Sequence, residues 1–163
     1  MDHQVVDFSG HGLHNTPMFT LSGLVTLARV VDIIDGDTLG VIINIFGGFH
    51  QFRVRLVGIN CAELDSKDVH IKAQAYAARY RLFELITGVP TVAQVLRCSG
   101  FKNAEVRRHI SQTLSASVHT VLLACGSFDC FGRLLADVYL NSLTGPSLSQ
   151  ELIAEGLACA RPR

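Results

Sequence analysis

Residues 24–59 read LVTLARVVDIIDGDTLGVIINIFGGFHQFRVRLVGI, and the predicted architecture starts from this segment. Residues 24–34 and 39–46 are rich in β-branched side chains, whereas residues 49–59 alternate apolar with polar side chains. Both patterns are typical of β-strands. The stretch therefore predicts three consecutive strands.

Two glycine-containing turns separate these strands. Asp35-Gly36 lies between the first strand and the second, and Gly47-Gly48 lies between the second and the third. Because glycine adopts positive φ at little cost, both dipeptides suit hairpin turns. We expect an antiparallel meander.

The rest of the chain alternates helical and strand patterns. Tyr76, Tyr80 and Phe83 recur at helical spacing, and Gly88 follows where the helix would end. The predicted elements are a helix over residues 69–87, a second over about 102–114, strands over 118–125 and 134–140, and a last helix over about 149–155. This order predicts an α+β fold, a five-stranded β-barrel of the OB-fold type packed with helices.

The chain has 163 residues, which is the size of one domain. Residues 1–23 are polar and aperiodic, so we expect a flexible N-terminal tail followed by a domain over residues 24–163. No apolar run approaches the roughly 20 residues of a membrane span, so no membrane contact is expected. A signal-peptide pattern is lacking, and five cysteines form an odd set without paired spacing. These features predict an intracellular protein with reduced thiols.

Fourteen basic and fourteen acidic residues cancel in this sequence. A neutral protein gains little long-range attraction toward nucleic acid. Binding of DNA or RNA would therefore depend on a local site, and a protein that coats nucleic acid is not indicated.

Three segments carry side chains suited to phosphate chemistry. Asp37, in the turn after the first strand, can offer a carboxylate to a hard divalent cation. Arg55 and Glu63 lie eight residues apart around a predicted bend and can reach one pocket. Arginine binds phosphate there, and a carboxylate takes a proton from water. Arg133 follows a glycine at the start of a later strand.

Each segment alone has a simpler interpretation. Asp-Gly is common in turns, Arg55 and Glu63 could form an exposed salt bridge, and Arg133 could be a solvated cation at a hairpin. Their joint occurrence favours a shared site, and the combination points to cleavage of phosphodiester bonds.

In order and spacing, the segments resemble the staphylococcal nuclease (thermonuclease-type) family. The matching motifs are Asp35-Gly36-Asp37-Thr38, residues 55–63 (RLVGINCAE) and Gly132-Arg133. The resemblance spans most of residues 24–160 and leaves out a helical insertion at about 89–117.

This resemblance implies calcium-dependent hydrolysis of DNA and RNA, with magnesium or manganese as other possible ions. It implies that Arg55 and Arg133 grip the scissile phosphate and that Glu63 orients or deprotonates the attacking water. The metal ligands it implies are Asp37, Asn60 and the backbone carbonyl of Cys61.

Two positions depart from the family pattern. Asn60 stands where the family usually has a second aspartate, and Ala62 stands where it usually has proline. Because an amide oxygen coordinates calcium without contributing charge, we expect weaker metal binding. Ala62 leaves the backbone before Glu63 less restricted than proline would.

The insertion carries Arg107 and Arg108 on its predicted helix. We consider both as candidate contacts for nucleic acid, and the alternative is a solvated helix face.

These observations together predict a metal-dependent nuclease that acts on DNA, RNA or both with little sequence selectivity, since the candidate site addresses phosphate. The alternative is a module of the same fold that has lost efficient catalysis and binds nucleic acid or a protein partner.

Overall fold

Five strands close into a barrel around the hydrophobic core. The computed structural model of the chain describes residues 4–89 and 103–163. In chain order the elements are β1 (Val25–Ile33), β2 (Thr38–Ile45), β3 (Gly48–Leu56), β4 (Ile59–Asn60), α1 (Val69–Thr87), α2 (Asn103–Ala116), β5 (Thr120–Phe128), β6 (Leu134–Tyr139), α3 (Leu148–Ala154) and β7 (Cys159–Ala160).

The strand order around the barrel is β1-β2-β3-β6-β5, with β5 returning to β1. The barrel pairs are antiparallel except β3 with β6, which run parallel and complete the closure. β1, β2 and β3 form the predicted antiparallel meander. The prediction of an α+β fold with a five-stranded barrel and packed helices is confirmed.

The turn between β2 and β3 lies one residue earlier than predicted. Ile45 pairs with Gly48, so Phe46 and Gly47 form the turn, with φ of 54° and 76°. A two-residue turn with both φ values positive matches the twist of the flanking strands. Phe46 holds this unfavourable φ while its ring packs 5.9 Å from that of Phe19. Gly48 is therefore a strand residue.

The third strand ends earlier than expected. β3 stops at Leu56, and Gly58 turns the chain with φ of 81°. Beyond this bend, β4 pairs with β7, with Asn60 opposite Cys159. β7 was not predicted, because two residues show no periodicity. This small sheet holds residues 159–163 beside the bend that precedes β4, where the Gly58 carbonyl accepts the Arg161 N–H.

The helix α1 covers the residues predicted for it. The Asp68 side chain caps its first turn by accepting the N–H groups of His70 and Ile71, and Gly88 ends it with φ of 70°. The residues that α1 buries are Ala75, Ala78, Arg79, Leu82, Phe83 and Ile86.

The helix α2 packs on the barrel through Val106, Ile110 and Leu114, which are buried. It lies inside the predicted insertion, of which residues 90–102 fall outside the described part of the chain. This packing makes one side of α2 part of the core. The exposed residues of the same helix include the candidate nucleic-acid contacts Arg107 and Arg108.

The helix α3 begins at Leu148, one residue before the predicted start. Ser147 and Gln150 form a capping box, in which each side chain accepts the other's backbone N–H. Within residues 4–89 and 103–163, no helix is both long enough and apolar enough to cross a membrane.

The segment before β1 is only partly separate from the domain. Residues 4–20 are exposed and form neither helix nor strand. Leu21, however, is buried in the core, and Phe19 packs against Phe46 and Phe128. The packed domain therefore begins slightly before residue 24.

Gly36 lies in the turn between β1 and β2, where α1 leaves no room for a side chain. A Cβ at this position would lie 2.7 Å from Ala78 Cβ and 2.9 Å from Cys61 Sγ. We predict that Gly36→Ala lowers the free energy of unfolding by about 2 kcal/mol, because an added methyl group forces packed neighbours apart. Urea denaturation measures this loss.

Gly10→Ala is the control, since a Cβ there meets no atom within 4 Å. Its free energy of unfolding should stay within about 0.5 kcal/mol of the wild-type value. Equal losses in the two variants would contradict the close packing at Gly36.

Candidate functional site

A buried carboxylate lies at the centre of the candidate site. Asp37 directly precedes β2 and is 7% exposed. Its Oδ2 accepts a hydrogen bond from the Cys61 N–H at 3.0 Å, and its Oδ1 accepts one from Thr38 Oγ1 at 3.1 Å. These bonds connect the turn before β2 to the loop after β4.

Arg55 forms an ion pair with this carboxylate. Its Nη1 lies 3.1 Å from Asp37 Oδ2 and also donates to the Leu56 carbonyl at 3.0 Å. Its Nη2 donates to Asn60 Oδ1 at 3.2 Å. The register that places Thr38 opposite Arg55 brings the two strand ends together. Three predicted site residues, Asp37, Arg55 and Asn60, thus form one connected network.

The network contains two carboxylates, Asp35 and Asp37, and one guanidinium, that of Arg55. Burial raises the pKa of Asp37 to about 6, and repulsion from Asp35 adds to the rise, while Arg55 and the Cys61 N–H oppose it. Asp35 lies close because its Oδ1 accepts the Asp37 N–H at 3.0 Å. Burial also raises the pKa of the Cys61 thiol to about 12. The thiol is therefore protonated at neutral pH and is no nucleophile.

The oxygen atoms around Asp37 suit a hard divalent cation. Asp35 and Asp37 offer carboxylates, and Asn60 Oδ1 belongs to the same network. Among the described residues, no group of three or more His, Cys, Asp and Glu side chains is placed to hold a metal ion. Amide and carbonyl oxygens would therefore have to complete the shell. A cation would offset the repulsion from Asp35, which adds to the effect of burial on the pKa of Asp37, so these residues fit the predicted calcium.

Cys61 makes one contact that the sequence did not predict. Its backbone N–H donates to Asp37 Oδ2. The contact still places the Cys61 backbone directly beside the carboxylate. A carbonyl ligand at this position remains a prediction.

Arg133 shares a cavity with Arg55, which we call the arginine pocket. The cavity measures about 320 Å³, and Phe131 lines it as well. Asp129 orients Arg133, since its Oδ2 accepts from Arg133 Nε at 2.7 Å and its Oδ1 accepts the Arg133 N–H at 2.9 Å. The guanidinium carbon lies 5.5 Å from the centroid of the Phe131 ring. The two arginines predicted to bind phosphate thus lie on one cavity.

Glu63 lies elsewhere. It is exposed and lines a larger groove of about 740 Å³, which we call the mixed-charge groove. The charged residues that line this groove are Asp32, Asp35, Arg53, Glu63, Asp65, Arg79 and Arg107. The predicted base thus lines this groove, whereas the predicted phosphate-binding arginines line the arginine pocket. Asp37 connects the mixed-charge groove to the arginine pocket, because it is hydrogen-bonded to Asp35 and paired with Arg55.

Arg79 was not predicted as a site residue. It is 1% exposed, lines the mixed-charge groove, and donates from Nε to the Ile33 carbonyl at 2.9 Å. Burial lowers the pKa of Arg79, and the nearby Asp32 opposes that change. The signal in the sequence was a charged residue on the apolar face of a predicted helix, next to Ala78 and three residues before Leu82.

The structure separates the two arginines predicted to contact nucleic acid. Arg107 and Arg108 are both exposed on α2. Arg107 lines the mixed-charge groove with Glu63, whereas Arg108 lines neither that groove nor the arginine pocket. Of the two, Arg107 lies on the groove that Glu63 lines.

The substitution Asp37→Asn tests how much stability the protein loses by burying an ionised carboxylate. The pKa of Asp37, about 6 in the folded protein, exceeds the ordinary value of 3.8. The stability contributed by protonated Asp37 is therefore fully present below about pH 4 and lost as the pH rises through about 6. Asparagine does not titrate. We predict that the free energy of unfolding of Asp37→Asn minus that of the wild type rises by about 2 kcal/mol from pH 4 to pH 7.

Urea denaturation in the presence of a chelator measures this difference. Asp7→Asn is the control, because the backbone N–H of Ser9 lowers the pKa of this exposed carboxyl. The free energy of unfolding of Asp7→Asn minus that of the wild type should not rise between pH 4 and pH 7. A flat profile for Asp37→Asn would mean that the carboxylate is not disfavoured by its surroundings.

A scan against models of protein families found no match for this chain, and a search of curated proteins found no similar sequence. The likeness to the staphylococcal nuclease family consequently stays a prediction from the three motif segments of the sequence. The activity has to be inferred from the side chains of the site.

Proposed function

We propose that this protein is a metal-dependent nuclease of the staphylococcal nuclease type. In this proposal it uses calcium to hydrolyse phosphodiester bonds of DNA, RNA or both, with little sequence selectivity. The observation that carries the proposal is the network of the buried Asp37 and Arg55 with the exposed Asn60, which adjoins a pocket that Arg133 also lines. A barrel compatible with the OB-like type supports it further.

Arg55 and Arg133 supply the electrostatic part of the mechanism. When water attacks the phosphorus atom, negative charge builds up on the phosphoryl oxygens. Guanidinium groups that are already oriented stabilise this charge without reorganisation. Asn60 and the Leu56 carbonyl orient Arg55, and Asp129 orients Arg133. Each planar guanidinium can bind two phosphate oxygens at once.

Four groups would hold the divalent cation. When bound, the cation polarises a phosphoryl oxygen and lowers the pKa of a coordinated water. The chain supplies only two formal charges for it, because Asn60 is neutral, so a modest affinity is expected. The groups are the carboxylates of Asp35 and Asp37, the amide oxygen of Asn60 and the backbone carbonyl of Cys61.

Glu63 takes the proton of the attacking water in this proposal. Its exposed carboxylate lies in the mixed-charge groove, while the phosphate-binding arginines line the other cavity. A polynucleotide that passes from the groove to the pocket across Asp37 would place its scissile phosphate between these groups. Arg107 would then contact the phosphodiester backbone on the groove side.

The separation of Glu63 from the arginine pocket favours a second candidate function. A module that binds nucleic acid without cleaving it needs the cationic residues but not a base beside the phosphate. If the protein binds nucleic acid in the presence of chelator and cleaves it in none of the divalent ions, it is this binding module and not a nuclease.

Cleavage of single-stranded DNA and RNA in calcium, magnesium and manganese, with chelator as the blank, tests the nuclease. Arg133→Lys and Arg55→Lys should each lower kcat/KM by about 10²-fold or more, because lysine keeps the charge but loses the planar fork. Glu63→Gln should lower it by a similar factor of about 10².

Lys72→Gln is the matched control, since this exposed cation on α1 lines neither cavity. Its activity should equal that of the wild type, and circular dichroism should show that every variant is folded. A wild-type protein that cleaves nothing in all three ions would contradict the nuclease proposal.

Asn60→Asp should tighten calcium binding by about tenfold, because it adds a charged ligand beside Asp37. Isothermal titration calorimetry measures the affinity. Asn44→Asp, an exposed change on β2, is the control for the added charge and should leave the affinity at the wild-type value. If both variants bind calcium like the wild type, the ion does not sit at Asn60.

A further inference from the structure

The segment after β7 forms one side of the arginine pocket. The pairing of β4 with β7 brings it beside Gly58, whose carbonyl accepts the Arg161 N–H at 2.8 Å. Arg163 anchors the segment, because its Nη1 and Nη2 bind the two carboxylate oxygens of Asp137 at 2.7 and 2.8 Å. The pocket is lined by Arg161, Pro162 and Arg163 together with Arg55 and Arg133.

The charges of the pocket are unevenly paired. Three of its arginines have a carboxylate partner: Arg55 pairs with Asp37, Arg133 with Asp129 and Arg163 with Asp137. Arg161 is exposed, and in the described part of the chain its guanidinium has neither an ion pair nor a hydrogen bond. Among the arginines that line this pocket, Arg161 is therefore the one without a carboxylate partner.

We propose that Arg161 binds a second phosphate of the substrate, the one next to the scissile phosphate. This inference rests on the proposed nuclease function, in which Arg55 and Arg133 bind the scissile phosphate. Arg161 lines this cavity of about 320 Å³ together with those two arginines. The substrate class is a nucleic acid strand that carries a phosphate on both sides of one nucleoside.

The backbone around Arg161 favours this role. Its N–H is fixed by Gly58, and Pro162 restricts the chain directly after it. A cation on a held backbone loses less freedom on binding than one on a free chain. Arg163 differs, because Asp137 already engages both of its terminal nitrogens. Arg161 is thus the residue through which this segment selects a phosphate.

Short substrates with a single phosphodiester bond test the inference. One has no other phosphate, a second carries an added 5′-phosphate, and a third carries an added 3′-phosphate. The wild type should cleave one of the two phosphorylated substrates about tenfold better in kcat/KM than the first, as expected for a charge-assisted contact. Arg161→Gln should remove this preference, and Arg161→Lys should retain part of it. Lys72→Gln should keep the full preference.

On longer single strands, Arg161→Gln should also lower the salt dependence of binding by about 0.7 in log–log slope, which corresponds to one phosphate contact. A wild-type enzyme without any preference would overturn the inference and leave the nuclease proposal intact. So would an Arg161→Gln variant that keeps the wild-type preference.

A wild type that cleaves none of the substrates would overturn the nuclease function instead. In that case NMR titration with a nucleoside monophosphate and a nucleoside 3′,5′-bisphosphate decides about Arg161. A loss of affinity in Arg161→Gln that is about tenfold larger for the bisphosphate supports the second phosphate position. If Arg161→Gln loses the same affinity for both ligands, or loses none, the inference about Arg161 is overturned.

Discussion

The buried carboxylate of Asp37 sets the geometry of the candidate site. It joins three parts of the chain: the turn before β2, the end of β3 through Arg55, and the loop after β4 through the Cys61 N–H. A buried charge that loses such partners costs several kcal/mol. The three parts therefore keep one arrangement whenever Asp37 is ionised. The orientation of Arg55 is a consequence of this carboxylate as much as of its own strand.

Arg55 can serve the fold and the proposed chemistry at the same time. A guanidinium has five N–H donors. Asp37, the Leu56 carbonyl and Asn60 engage Nη1 and Nη2, and the side chain still lines the arginine pocket with Arg133. A phosphate in this pocket would meet a cation whose direction is set before binding. Such preorganisation is what distinguishes stabilisation of a transition state from simple attraction of an anion.

The barrel was largely predictable because its signals are local. Strand periodicity and the glycine turns predicted β1, β2 and β3, and a two-residue turn at Phe46 and Gly47 then sets the register that places Thr38 opposite Arg55. The parallel pairing of β3 with β6 and the two-residue β7 carry no local signal, because they depend on contacts between remote segments. For this reason the role of residues 161–163 in the arginine pocket was not visible in the sequence.

The site was predictable only in part, since motifs identify residues but not the cavity that each one enters. Asp37, Arg55 and Asn60 meet because they adjoin strand ends, whereas Glu63 follows the β4 loop into the mixed-charge groove, where Arg79 also lies. A buried carboxylate with a raised pKa and a buried arginine each cost stability, and apolar residues of similar volume would often make the protein more stable. Stability therefore does not explain these charges, whereas the proposed recognition of a charged substrate would explain them.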